Sequence, residues 1–362
     1  MILTLLLTAA IGFIIAYPLI EIYRRRDFSA AVQTDIQLIS KPVSVILVVY
    51  NEERDIERKI REILDEPIWN EGSELLIISG GSTDQTDDLI RSFLPDDRIK
   101  AHVFAENISK IESVNFAVSE ARNELLIFTD CRQYMLPGSM PALLHKLESD
   151  QLDVVVATLH NKHDPKRSIR NTLNRMNLAK AMDSNSMNVY GALYAQRKSA
   201  HVVIPTDVLF DDLYVLAQTL ARGKKIRQIG TAVLKDVNFE DYYREERIQR
   251  LTRGLMLFLF RHPGVVRKMS AQDRYHFLMS KYSKLVLPLV VAFLLLHLIT
   301  DSLLHFSAIN FNFLCLLLIS LAGILNRNVR LFFRVVYYTL KAEYLYFMKQ
   351  KRSVRWEKFT NY

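Results

Sequence analysis

The chain has 362 residues, more than the roughly 100 to 200 that one minimal domain needs. Half of it is hydrophobic, and 47 Lys and Arg against 39 Asp and Glu leave a formal net charge of +8. Three uncharged apolar runs, Ile2 to Ile20, Leu285 to Thr300 and Ser307 to Leu325, exclude a purely soluble protein, and two cysteines, Cys131 and Cys315, exclude a disulfide framework.

The first run is close to the about 20 residues that cross a bilayer core. Arg24, Arg25 and Arg26 follow it and no small-residue cleavage site intervenes. A signal peptide carries its positive charge before the apolar stretch, so residues 1–23 read as a retained anchor with its N-terminus outside. Basic residues gather beside the apolar runs, which points to anionic lipid rather than nucleic acid as the partner.

Residues 24–242 read as a cytoplasmic α/β domain. Val43 to Tyr50 is a nearly continuous apolar run suited to a strand buried on both faces. Asp55 to Leu64 has helical spacing, Glu74 to Ser79 reads as a strand, and Thr86 to Phe93 as a helix. Lys110 to Ala121 is again helical, and Leu125 to Thr129 a strand. Strand and helix in alternation imply a mostly parallel sheet with ligands at the carboxyl ends of the strands. The loops of interest therefore follow Tyr50, Ser79 and Thr129. They carry Asn51-Glu52-Glu53, Gly80-Gly81-Ser82-Thr83-Asp84 and Asp130-Cys131-Arg132-Gln133. Taken singly, each is also ordinary turn and cap chemistry.

Further on, residues 243–284 read as interfacial helices and 285–326 as a transmembrane hairpin. Lys281 and Lys284 precede the hairpin, Arg327 and Arg330 follow it, and its connection has neither Lys nor Arg, so both ends face the cytoplasm. Leu285 to Thr300 is short and holds Pro288; it must extend through Leu303 and Leu304 to span, or else re-enter. In 327–362, Arg330, Arg334 and Lys341 fall within about 40° on a helical wheel. This reads as an amphipathic helix on the cytoplasmic leaflet with a basic tail.

The series Val43 to Glu53, Gly81-Ser82-Thr83-Asp84-Gln85-Thr86, Lys110 with Asn115, Phe128 to Gln133, Gly191 to Ala195, Asp211-Asp212 and Arg250 with Arg253 resembles the membrane-bound family-2 glycosyltransferases, from about Pro42 to Pro263. The resemblance implies a GT-A nucleotide-sugar-binding fold and an inverting hexosyl transfer at the inner (plasma) membrane, with the catalytic domain in the cytoplasm. It assigns Tyr50, Asn51, Glu52 and Asp84 to the nucleotide cradle and points Lys110 toward the phosphates. Asp130 becomes the first carboxylate of the family's Asp-x-Asp element, a ligand for Mg or Mn. Asp212 becomes the catalytic base, with Asp211 orienting or tuning it. Arg250 and Arg253 take the acceptor and diphosphate position.

Three departures stand out. Arg132 occupies the second acidic position of Asp-x-Asp, where a guanidinium cannot ligate a cation but can pair with phosphate. Ser79-Gly80 replaces the acidic residues that touch the base, which loosens the choice of nucleotide; a UDP-sugar is the expected donor. Arg250 replaces a glutamine, as in the ceramide glucosyltransferases, and Gly254 replaces the tryptophan on which acceptor glycans stack. The acceptor is therefore expected to be lipid-linked or a glycan, in surface polysaccharide or glycolipid synthesis. With three spans, a chain-forming enzyme would need a partner subunit or an exporter. The alternative is a catalytically silent membrane scaffold. His160 and His163 lack a third ligand, which argues against a zinc site.

Overall fold

The computed structural model describes residues 2–23, 39–161, 185–187, 189, 191–236, 245–304 and 311–348. Arg24 to Arg26, His163, Tyr243 and the basic tail from Lys349 lie outside them. The described residues fall into two compact units, one with the sheet (39–236 and 262–273) and one of helices (2–23, 245–261 and 274–348).

In the sheet unit the chain runs β1 (Val43–Val49), α2 (Ile56–Leu64), β2 (Glu74–Ser79), α3 (Thr86–Ser92), β3 (Ile99–Val103), α4 (Lys110–Glu120), β4 (Leu125–Thr129) and β5 (Tyr134–Met135), α1 being the N-terminal helix Ile2–Tyr23 of the other unit. It continues through α5 (Ser139–Ser149), β6 (Val154–Asn161), β7 (Leu193–Arg197), α6 (Asp211–Ala221) and β8 (Ile226–Asp236). One eight-stranded sheet results, in the order β3-β2-β1-β4-β7-β6-β8-β5. Strands β3, β2, β1 and β4 are parallel, whereas β7 runs antiparallel to both β4 and β6. The sheet is therefore mixed, with its N-terminal strands parallel.

Every residue of β1, β2 and β4 is buried, which is why these segments read as unbroken apolar runs. Helix α2 covers one face with Ile56, Ile60 and Ile63, at the i, i+4, i+7 spacing of a core-facing stripe. Helix α4 begins with a capping box, in which Ser109 Oγ accepts the Glu112 N–H and Glu112 accepts the Ser109 N–H. Such a cap fixes where the helix starts, and so where Lys110 stands.

In the helical unit, α7 (Glu245–Arg261) packs along α12 (Arg327–Met348); between α7 and the later helices the sequence passes through α8 (Pro263–Lys268), which belongs to the sheet unit, and α9 (Ala271–Phe277), which begins in it, followed by α10 (Ser283–Leu304) and α11 (Phe311–Leu325) of the helical unit. The π-helical turn Leu278–Tyr282 joins α9 to α10, giving a continuous helix Ala271–Leu304 that runs past Pro288 and includes Leu303 and Leu304. Among the described residues it is the one helix long and apolar enough by itself to cross a membrane. Leu314–Leu325 and Val329–Met348 qualify only as a pair, bent by 106°. A polar chain ties α1, α10 and α11: Thr4 Oγ1 donates to Asn312 Oδ1 at 3.2 Å and lies 3.0 Å from His297 Nε2, while Asn312 Nδ2 donates to Asp301 at 2.7 Å.

Candidate active site

Because β1, β2 and β4 are parallel neighbours, the loops after Val49, Ser79 and Thr129 emerge at one end of the sheet. The first two are stitched together. Asn51 adopts φ +54°, a left-handed conformation that Asn tolerates, and its Oδ1 accepts the Thr83 N–H at 2.7 Å. The Asn51 N–H donates to Ser82 Oγ at 3.0 Å, Ser82 donates to Ser79 Oγ at 2.9 Å, and Ser79 donates to Asp87. Ser79 is fully buried, so its hydroxyl serves this chain inside the loop. The Glu52 N–H donates to Thr86 Oγ1 at 2.7 Å, and Asp84 accepts from the Thr86 N–H at 3.0 Å and from the Glu53 N–H at 3.4 Å. Gly81, at φ +80°, is required here, since a Cβ would stand 2.3 Å from the Glu106 carbonyl oxygen.

The third loop brings Asp130 opposite Lys110. Lys110 Nζ donates to Asp130 Oδ1 at 3.1 Å and lies 3.5 Å from Asp211 Oδ2. Burial by itself would lower the Lys110 pKa; Asp130 and Asp211, with Asp212 beyond them, outweigh it and hold the ammonium well above its usual range. Asp211 and Asp212 open α6, where the helix N-terminus favours negative charge. Asp212 Oδ1 accepts the Leu213 N–H at 2.7 Å. The approach to α6 is set by Asn115, whose amide group both donates to the Ile204 carbonyl (2.8 Å) and accepts the Ile204 N–H (2.9 Å). Gly191, two residues before β7, lies against Asp212: a Cβ there would be 3.6 Å from Asp212 Cβ.

Arg132 Nε donates to both carboxylate oxygens of Glu52, at 2.9 and 3.0 Å. Two residues that the sequence points separately at a donor thus meet each other across the first and third loops. The Tyr194 ring stacks on Phe128 with centroids 4.6 Å apart. Its hydroxyl is fully buried without a hydrogen-bond partner among the described residues. Burial, reinforced by Asp211, Asp212 and Asp130, pushes its ionisation far up, so the phenol stays neutral. Burial likewise raises the Cys131 thiol, which is not poised as a nucleophile.

Of the residues singled out from sequence, Tyr50, Asn51, Glu52, Asp84, Lys110, Asp130, Arg132, Asp211 and Asp212 all belong to the sheet unit. Arg250 and Arg253 lie on α7 of the helical unit. Sequence reasoning missed the hydroxyl chain of Ser79, Ser82 and Thr86, and the unpartnered Tyr194 phenol. A run of Ser and Thr after a strand was the available signal for the first.

Residues 44–206 match the model of glycosyl transferase family 2. The chain carries a family-2 glycosyltransferase domain. Among solved structures, the mannosyltransferase PcManGT from Pyrobaculum calidifontis, solved in complex with GDP-Man and Mn2+, matches with a TM-score of 0.79 at 19% identity, over 96% of this chain and 99% of that one. At that identity the likeness is one of fold. More distant are S. aureus TarS, with a TM-score of 0.46 at 14% identity over 69% of this chain and 52% of that one, and GalNAc-T7 with UDP, GalNAc and Mn2+, with a TM-score of 0.46 at 12% identity over 67% and 55%. No curated protein sequence matches significantly. In this glycosyltransferase domain the match begins at Ser44 in β1 and takes in the Asn51, Asp84, Lys110 and Asp130 loops; it stops before Asp211.

Proposed function

We propose that this glycosyltransferase is membrane-bound and inverting, and moves a sugar from a nucleoside-diphosphate donor to a lipid-linked or glycan acceptor at the cytoplasmic leaflet. The carrying observation is the cluster in which Lys110 stands between Asp130 and Asp211, beside Asp212, at the carboxyl end of the parallel strands. An inverting transfer needs a held diphosphate, a cation to meet its leaving charge and a base for the acceptor hydroxyl. In this reading Asp130 and Lys110 serve the diphosphate, Arg132 and Arg253 add positive charge to it, and Asp212 takes the proton. Tyr50, Asn51, Glu52 and Asp84 form the nucleotide side, and Arg250 the acceptor side.

A divalent metal fits this donor set in one way. Among the described residues no group of three His, Cys, Asp or Glu converges on a point. Asp130 would hold Mg or Mn through one carboxylate, the donor's phosphate oxygens and water completing the shell, which suits such hard cations. The bound ion would screen the diphosphate charge. PcManGT was solved with GDP-Man, so guanosine joins the uridine expected from the sequence as a candidate base.

The membrane reading draws on the exposed apolar surfaces of the helical unit, such as Phe293, Leu296 and Leu303 on α10 and Leu314, Leu318 and Leu321 on α11. The 106° bend suits an α11 that crosses and an α12 that lies along the leaflet. The Thr4–Asn312–Asp301 chain joins the start of α1, the end of α10 and the start of α11, as spans with those ends on the outer side require.

The test is a screen of sugar nucleotides with purified protein in detergent and native lipids, with and without Mg or Mn, reading release of the nucleoside diphosphate. Metal-stimulated turnover of one donor is expected. Failure with all common GDP- and UDP-sugars under every condition would overturn the proposal.

A further inference from the structure

Helix α2 carries a cation that hydropathy would place in water and the fold places inside: Lys59 is fully buried. A buried ammonium persists only where acceptors surround it. Lys59 Nζ donates to Glu62 Oε2 at 2.9 Å and to the Gln133 main-chain carbonyl at 2.5 Å. Its neighbour Arg58 donates through Nη2 to the carbonyls of Cys131 and Arg132, each at 3.0 Å. Two adjacent cations thus hold three successive carbonyls of the loop after β4.

The cations are themselves oriented. Asp55 Oδ1 accepts from Arg58 Nη2 at 2.8 Å, Glu62 Oε1 accepts from Nη1 at 2.7 Å, and the guanidinium carbon lies 4.1 Å from the centre of the Tyr134 ring. The other end of the loop is tied to the residue just before β7, where the Asp130 N–H donates to the Ala192 carbonyl at 3.2 Å. Between these ties stand the side chains of Asp130 and Arg132.

We propose that Arg58 and Lys59 are positioning residues for the donor: by fixing the carbonyls of Cys131, Arg132 and Gln133 they hold Asp130 and Arg132 in the geometry that the donor diphosphate meets. This rests on the transferase reading above. A loop ordered in advance spares the donor the cost of ordering it, so the gain falls on binding rather than on the chemical step. A residue that only stabilises the fold behaves differently. Its loss lowers the active fraction, and so apparent kcat, while the molecules that remain folded keep their KM.

The full chain in detergent is compared with Arg58→Gln, Arg58→Lys, Lys59→Met and, as control, Arg61→Ala, which removes an exposed side chain paired with Glu57 on the same helix. Binding of GDP and of UDP, each with Mn2+, is measured by calorimetry, and donor KM and kcat are measured with the sugar nucleotide the wild type accepts. The expected result is a rise in Kd and KM of about tenfold for Arg58→Gln and Lys59→Met, the scale of losing the two (Arg58) or one (Lys59) charge-assisted hydrogen bonds to the loop carbonyls, with kcat within about threefold. Arg58→Lys should recover part of the loss, since it keeps the charge without the fork, and Arg61→Ala should match wild type. If Lys59→Met does not fold, Arg58, which is partly exposed where Lys59 is fully buried, leaves its two variants to decide. Unchanged Kd and KM with only a lowered kcat would overturn the inference. A wild type that binds neither diphosphate and turns over no donor would instead overturn the transferase reading and this inference with it.

Discussion

Lys110 Nζ stands 3.5 Å from Asp211 Oδ2, joining the start of one helix, Lys110–Glu120, to the start of another, Asp211–Ala221. The same ammonium donates to Asp130, so removing it would leave two carboxylates facing each other with Asp212 close by. Lys110→Met should weaken donor binding and lower turnover about 100-fold, the scale of losing one charge-stabilising group. Lys110→Arg should restore a fraction. The measurement is steady-state release of nucleoside diphosphate; turnover within about twofold of wild type in Lys110→Met would mean a solvated helix-start lysine and nothing more.

Asp212→Asn keeps the shape and the acceptor oxygen for the Leu213 N–H while removing the proposed base. Turnover should fall about 10²- to 10⁴-fold with donor KM unchanged within about threefold, because general-base loss acts on the chemical step. The same variant in cells separates an enzyme from a silent scaffold, for which glycan production would be unchanged.

Arg253, on α7, is expected to meet charge that develops mainly as the diphosphate leaves. Arg253→Ala should therefore cut turnover about 100- to 1000-fold and affect donor affinity much less. Arg253→Lys should recover only part, lacking the planar fork that grips two oxygens. Arg261→Ala, at the end of the same helix, should leave kcat and KM nearly intact; equal damage at both positions would sink this assignment.

His201 packs face to face near Phe128, with ring centroids 6.3 Å apart, and Nδ1 lies 2.8 Å from Gln196 Nε2. Its Nε2 is buried without a partner among the described residues. Burial lowers its pKa to about 4, against 6.5 for an ordinary histidine. A depressed histidine favours the neutral form in the fold, so its contribution is complete above about pH 6.5 and is lost as pH falls toward about 4. Over that window the loss is on the order of 3 kcal/mol. Asn offers an oxygen where Nδ1 stands and does not titrate, so His201→Asn should flatten this part of the stability profile. Urea midpoints at pH 7 and pH 4.5 check it; equal acid sensitivity in both proteins would exclude His201 as the cause.

Strands β1, β2 and β4 were legible in the sequence to within a residue, as were the three loops after them, because a strand covered on both faces needs an unbroken apolar run. The helix starts at Thr86 and Lys110 were legible from helical spacing, which is local; the Ser109 capping box that fixes the second, though contained in four residues, was not singled out. Strands β3, β5, β6, β7 and β8 were not. β3 is a sheet edge with only partial burial, and β8 mixes Arg227, Gln228 and Lys235 into its run, so neither carries a continuous apolar signal. What only the tertiary structure decided were the pairings of charge. Lys59 reads as a surface lysine until the Gln133 carbonyl is folded onto it, and Arg132 reads as a group awaiting phosphate until Glu52 is brought to its Nε from another loop. Hydropathy records how a side chain is solvated by itself; the Gln133 carbonyl and Glu52 lie 74 and 80 residues from the cations they meet, and only folding of the loops that follow neighbouring strands brings them together.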